Sequence, residues 1–203
     1  MFIQIIQGKC TRQDEMRAMG DRWLTEVGPT ATGWLGGTYG FTDDDMFVGV
    51  IRFEDKEQAM ANSRSPQQSA WWAEAETLFD GPVEFHDCSK VMLMMGGGAD
   101  DAGFVQVIRG KVDDPARLEA MMEPMTNMLH EARPEILGST FAIEDDGTFT
   151  ETVAFTDEAA ARAGESKEMP LDDKVRDAMK SWDETVHNVS YLDLHHPWFA
   201  SRM

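Results

Sequence analysis

The chain has 203 residues, enough for one large domain or two small ones with real cores, and its 42% hydrophobic and 27% charged content is that of a globular protein without a stretch long enough to cross a bilayer. Eighteen basic against 37 acidic side chains give a formal charge of -19, which repels nucleic acid in the absence of a basic patch, and no such patch occurs. The same excess of acid suits a well-solvated surface.

Met1 leads straight into Phe2-Ile3-Gln4-Ile5-Ile6, without a basic leader or a cleavage site, and residues 2–9 alternate as a strand does. Cytoplasmic location is the expectation. Thr11 and Asp14 then resemble a helix start, with Met16, Met19, Trp23 and Val27 on one face. Two strands are predicted at Trp34–Phe41 and Met46–Phe53, joined through Asp43-Asp44-Asp45. A short helix is predicted from Asp55 with Gln58 as capping partner, and another from Ser65, followed by Pro66 and Gln68 and carrying Trp71, Trp72, Ala75 and Phe79. Asp80-Gly81-Pro82 stops it, and Val83–Met95 reads as a last long strand.

The pattern then repeats. With Phe2-Ile3-Gln4-Ile5-Ile6-Gln7-Gly8-Lys9 laid on Phe104-Val105-Gln106-Val107-Ile108-Arg109-Gly110-Lys111, Gly36 meets Gly138, Thr38 meets Thr140, Phe47 meets Phe149, Phe53 meets Phe155 and Asp55 meets Asp157, all without a gap. That density argues for a duplicated unit. The second copy caps its first helix with Asp114 and Pro115, carries a Leu118, Met121, Met125 and Met128/Leu129 stripe, and turns its hairpin at Asp145-Asp146-Gly147. Beyond Ala61 and Ala163 the copies diverge.

The order strand, helix, strand, strand, helix, strand is that of the ferredoxin-like fold. The predicted class is therefore α+β, with a first unit over 1–95, a Gly/Asp-rich linker over 96–103, a second unit over 104–194 and a tail over 195–203. Helices cover one face of such a sheet, so the other must be buried, and a fused second copy is the nearest apolar partner. The expected arrangement is an intramolecular pseudo-dimeric barrel, for which further oligomerisation is not required.

The step Phe53-Glu54-Asp55 into Gln58-Ala59 and the run Ser65-Pro66-Gln67-Gln68-Ser69-Ala70-Trp71-Trp72-Ala73-Glu74 resemble the antibiotic-biosynthesis monooxygenase-like family of dimeric α+β barrels. That resemblance implies a pocket between helices and sheet in which an Asn and a Trp bind and activate an aromatic or polyketide-like substrate, with no cofactor. Asn62 and Trp72 are the matching catalytic candidates, and Gln4, Trp71 and Gln106 the substrate-binding ones. Which tryptophan faces inward is open from sequence. Gln4 and Gln106 hold equivalent places in apolar strands and need partners there, backbone being the favoured one.

Each candidate also has an ordinary role: tryptophans on an amphipathic helix pack cores, and Asn62 suits a helix C-cap. The second copy has Gly164 opposite Asn62, and Asp173 and Lys174 opposite the tryptophans, so a site of this type belongs to the first half. Neither His195-His196 nor the other histidines have metal-ligand spacing. Cys10 and Cys88 are read as free buried thiols, a bridge requiring neighbouring strands. The tail residues Pro197-Trp198-Phe199 either pack back over the sheet or plug the pocket. The function expected is binding of a small apolar or aromatic molecule, with cofactor-independent monooxygenation as the reaction; the rival reading is a non-catalytic ligand-binding or scaffold pair.

Overall fold

A computed structural model describes residues 1–167 and 173–202. The chain divides into two compact units, Met1–Ser89 with Pro197–Met203, and Lys90–His196. In chain order the first repeat comprises β1 (Phe2–Lys9), α1 (Gln13–Glu26), β2 (Trp34–Phe41), β3 (Met46–Phe53), α2 (Lys56–Ser63), α3 (Pro66–Ala75) and β4 (Glu84–Met94). The second comprises β5 (Phe104–Val112), α4 (Pro115–Ala132), β6 (Ile136–Glu144), β7 (Thr148–Phe155), α5 (Glu158–Glu165), α6 (Asp173–Thr185) and β8 (Val186–Leu194), after which β9 (Trp198–Ser201) ends the chain.

In the first unit the antiparallel order is β4-β1-β3-β2-β9, and in the second β8-β5-β7-β6 with the end of β4 beside β6. Both are the ferredoxin-like order plus one edge strand, so the chain is α+β with two tandem ferredoxin-like units. The division falls inside β4, upstream of the glycine-rich stretch, and the tail returns as β9 on the β2 edge. No helix among the described residues is long and apolar enough to cross a membrane.

The repeat identities mark the points where backbone geometry is set. Asp55 and Asp157 cap α2 and α5, each accepting a 2.8 Å bond from the backbone N–H three residues on. Ser65 does the same for α3 from Gln68 N at 3.1 Å. Asp114 accepts from both Ala116 N and Arg117 N. Asp114→Ala should therefore cost about 1 kcal/mol, read as a lowered urea midpoint at unchanged slope. α1 differs from expectation, because Arg12 stands at its N-cap without a side-chain cap while the Thr11 N–H is taken by Asp80 at 2.7 Å.

On the helix side of the first sheet, Met16, Met19, Phe47, Ala75 and Phe79 form one buried cluster and Phe2, Trp34, Phe53 and Ala59 another. The opposite face is dry as well: Ile3, Ile5 and Val48 have no exposure. In the second unit Leu118, Met121, Phe141 and Phe149 form the main helix-side cluster. Cys10 and Cys88 are buried thiols outside any disulfide, and burial pushes the Cys10 thiol up.

Candidate functional site

Strand alternation places Gln4 and Ile6 on the helix side of β1. On β2 a bulge between Trp34 and Gly36 changes the parity, so that Trp34 and Tyr39, an odd number apart, reach the same side. With α1, α2, α3 and β9 these strands enclose a cavity of about 120 Å³ in the first unit. Gln4, Asn62, Trp71 and Trp72, four of the five residues singled out from sequence, line it together. The fifth, Gln106, lines a separate cavity in the second unit.

The wall is mostly aromatic. Trp71 donates its Nε1 hydrogen to the Met19 carbonyl at 2.8 Å, which fixes the indole across α1. Its neighbour Trp72 lies 6.2 Å away by ring centroid and meets Phe85 edge-on at 5.2 Å. Both tryptophans border the space, so the open question of which one faces inward is answered by both. Tyr39 stacks on Trp198 of β9 at 5.6 Å and 23°, and the Arg17 guanidinium covers Trp198 at 5.0 Å.

The polar groups form two small networks. Gln68 Oε1 accepts from Trp23 Nε1 at 2.7 Å and from Asn62 Nδ2 at 3.3 Å, which joins α1, α2 and α3 at one point. Asn62 is therefore not the C-cap of α2; the helix runs on to Ser63 and Arg64 takes that place. Gln4 Nε2 donates to Asp87 Oδ1 at 2.9 Å, its facing residue on β4, and Gln106 Nε2 donates to Asp193 Oδ1 at the same distance across β5 and β8. The partners are thus carboxylates rather than the expected backbone. They stood outside the recognisable repeat, where the two copies no longer align without a gap.

Two features set the chemistry. Trp34, 4% exposed and one of the lining residues, keeps its Nε1 buried with no hydrogen-bond partner among the described residues, an unmet donor on a residue of the cavity wall. Burial pushes the Tyr39 phenol up to about 12, so it stays protonated and can donate but not take a proton. Trp34 and Tyr39 were not candidates from sequence, and Trp198 was read there only as part of a tail that packs over the sheet or plugs the pocket; the bulge and the return of β9 bring all three to the cavity.

No protein-family model matches the chain, and no curated protein matches it. Solved structures do. A proposed monooxygenase from Fusobacterium nucleatum superposes over 99% of this chain and 94% of its own with a TM-score of 0.73 at 9% identity. A proposed monooxygenase from Lactobacillus acidophilus covers 95% and 92% at a TM-score of 0.69 and 10% identity. An anthrone oxidase-like protein covers 99% and 91% at 0.65 and 9%. The two tandem ferredoxin-like units are thus an arrangement this chain shares with all three over nearly their whole length. At such identities the likeness fixes the tandem fold and leaves the chemistry to be argued from the cavity.

Proposed function

We propose that the first unit binds a small planar aromatic molecule in its tryptophan-lined cavity and that dioxygen oxidises it there without a metal or organic cofactor. The observation that carries this reading is the unmet Trp34 N–H in a wall of indole and phenyl rings, since a carbonyl or phenolic oxygen would satisfy the donor while the rings hold its plane. Volume narrows the class. A cavity of about 150 Å³ holds benzene, so one of about 120 Å³ takes a single ring after a small side-chain movement and a second ring only if the wall opens further.

The reaction suited to such a site starts from an activated methylene beside an aromatic ring. Ionised to its enolate by loss of a proton to solvent, the substrate gives one electron to dioxygen, the two radicals combine at carbon, the peroxide anion takes a proton back, and the hydroperoxide loses water. One oxygen atom becomes the ketone and the other leaves as water, so the four electrons lost by carbon are those gained by dioxygen. Asn62 and the Trp34 N–H stabilise the enolate oxygen, Trp71 and Trp72 hold the ring, and Gln4 closes the sheet side.

A second reading, binding without turnover, is favoured by one observation: Tyr39 cannot act as base, and Asp21, the carboxylate among the lining residues, is exposed. The two separate cleanly with 2-tetralone, a two-ring ketone with an acidic benzylic methylene. The oxygenase reading expects oxygen uptake above the buffer rate, lost in Asn62→Ala. Fluorescence quenching without uptake supports the binding protein, and the absence of both removes the cavity from consideration.

The same probe tests the tryptophans. Trp71→Phe loses one hydrogen bond, about 1 kcal/mol, and Trp72→Phe little stability, whereas each should weaken 2-tetralone binding about tenfold. Trp72 decides between the roles: a Trp72→Phe protein that binds 2-tetralone as the parent does, or that loses as much stability as binding, would assign the pair to packing.

A further inference from the structure

The second unit has a cavity of its own, about 210 Å³, with Met94, Met95, Met125, Leu129, Phe141 and Trp182 among its walls. Three adjacent strands each present one polar side chain to it: Gln106 from β5, Ser139 from β6 and Glu151 from β7. Glu151 pairs in register with Ile108 and Phe141, which places it on the helix side with Gln106. The first repeat has Gly49 and Gly37 where the second has Glu151 and Ser139, and there the Tyr39 ring fills the space. The two copies thus share a frame and differ at the floor of the cavity.

Glu151 is 8% exposed, and among the described residues no lysine, arginine or histidine forms an ion pair with it. Burial pushes its carboxyl up to about 7. The Ser139 hydroxyl, 1% exposed, lies near enough to oppose that rise yet makes no hydrogen bond of ordinary geometry. Arg133, a cation in the cavity wall, is already held by Glu135 and by the Ala161 carbonyl. The floor is rich in acceptors and short of donors, and a desolvated carboxyl is costly unless a cation or donor meets it.

We propose that this second cavity binds a small organic ammonium: an amine whose charged nitrogen sits between Glu151, Ser139 Oγ and Gln106 Oε1, and whose apolar body lies against Met125, Phe141 and Trp182. Size agrees, because a benzene-sized ring takes about 150 Å³ and the remaining volume admits a two-carbon arm. Charge agrees as well, since a chain of net charge -19 attracts cations. Phe141 and Trp182, 6.2 Å apart and edge to face, offer ring surfaces to an ammonium. This site does not depend on the chemistry assigned to the first cavity.

The test uses the full chain labelled with ¹³C at its methionine methyls, with 2-phenylethylamine as the probe and neutral 2-phenylethanol as its comparison. Met94, Met95 and Met125 report on the second cavity and Met16 on the first. The expected result is a shift of the three second-cavity methyls, at least tenfold tighter binding of the amine than of the alcohol, and loss of that preference in Glu151→Gln. Met125→Trp, which fills the cavity, should abolish binding of both and serves as the decisive variant if Glu151→Gln does not fold. Shifts confined to Met16, an amine bound equally by Glu151→Gln, or an amine still bound by Met125→Trp would each overturn the proposal.

Discussion

Glu151→Gln should stabilise the ligand-free chain by roughly 3 kcal/mol at pH 8 and leave it nearly unchanged near pH 4. In the unfolded chain a glutamate loses its proton near pH 4.3, as a model peptide does. In the folded chain, burial holds the Glu151 proton until about pH 7. Between those values the native state binds the extra proton, so stability falls as pH rises through the window and the whole deficit is present above it. A gap of about 2.7 pH units corresponds to roughly 3 kcal/mol or slightly more. The amide of the variant has no proton to lose and escapes the penalty. Asp146, Glu135 and Glu158 have carboxyls held below their usual range, but they act alike in both proteins and cancel in the difference. Urea unfolding of the two proteins at pH 4, 6 and 8 measures it. A difference that does not grow with pH would mean that the Glu151 carboxyl meets water.

The elements were legible because the residues that bound them act locally. Asp55, Ser65 and Asp114 cap helices where their spacing placed them, and the strand limits at Trp34–Phe41 and Met46–Phe53 are those observed. Asn62, Trp71 and Trp72 lie within eleven residues of one another on α2 and α3, so their shared placement follows from two short helices. What was not legible depends on pairing at a distance. Asp87 and Asp193 become the glutamines' partners only through strand register, and Trp198 enters the first cavity only because β9 pairs with β2. Trp34 and Tyr39 share a side only because one extra residue is accommodated between them, which alternation read along the sequence assigns to opposite faces. Glu151 was hidden for another reason. It sits in Thr148–Phe155, where an acidic residue among threonines suggests a solvated face until the strand is found beneath helices.

Gly138→Ala should be the most destabilising single methyl in the chain, about 3 kcal/mol or more, and Gly36→Ala should cost less while disabling the first cavity. These two glycines are among the identities that revealed the duplication, and both sit at the β2-type bulge of their unit. A Cβ at Gly138 would overlap the Gly97 carbonyl oxygen, a main-chain atom that cannot rotate away, so the 96–98 segment or β6 must move. At Gly36 a Cβ would meet the Ala200 carbonyl oxygen at 2.6 Å, and the residue's φ of +148° is one that a side chain disfavours. The atom it meets belongs to β9, a four-residue edge strand paired with β2 alone and otherwise held mainly by the Trp198 ring, so the relief available is for β9 to leave β2. Trp198 then leaves Tyr39 and the cavity wall. Gly36→Ala should therefore lose about 2 kcal/mol, expose residues 197–202 to proteolysis and reduce 2-tetralone binding at least tenfold, whereas Gly138→Ala should spare that binding at temperatures where the chain is still folded. Gly81→Ala, with open space around the added methyl, is the control expected to change neither. Binding kept in Gly36→Ala while the tail becomes cleavable would show that the first cavity forms without Trp198, and that its aromatic wall is supplied by α1, α3 and the sheet alone.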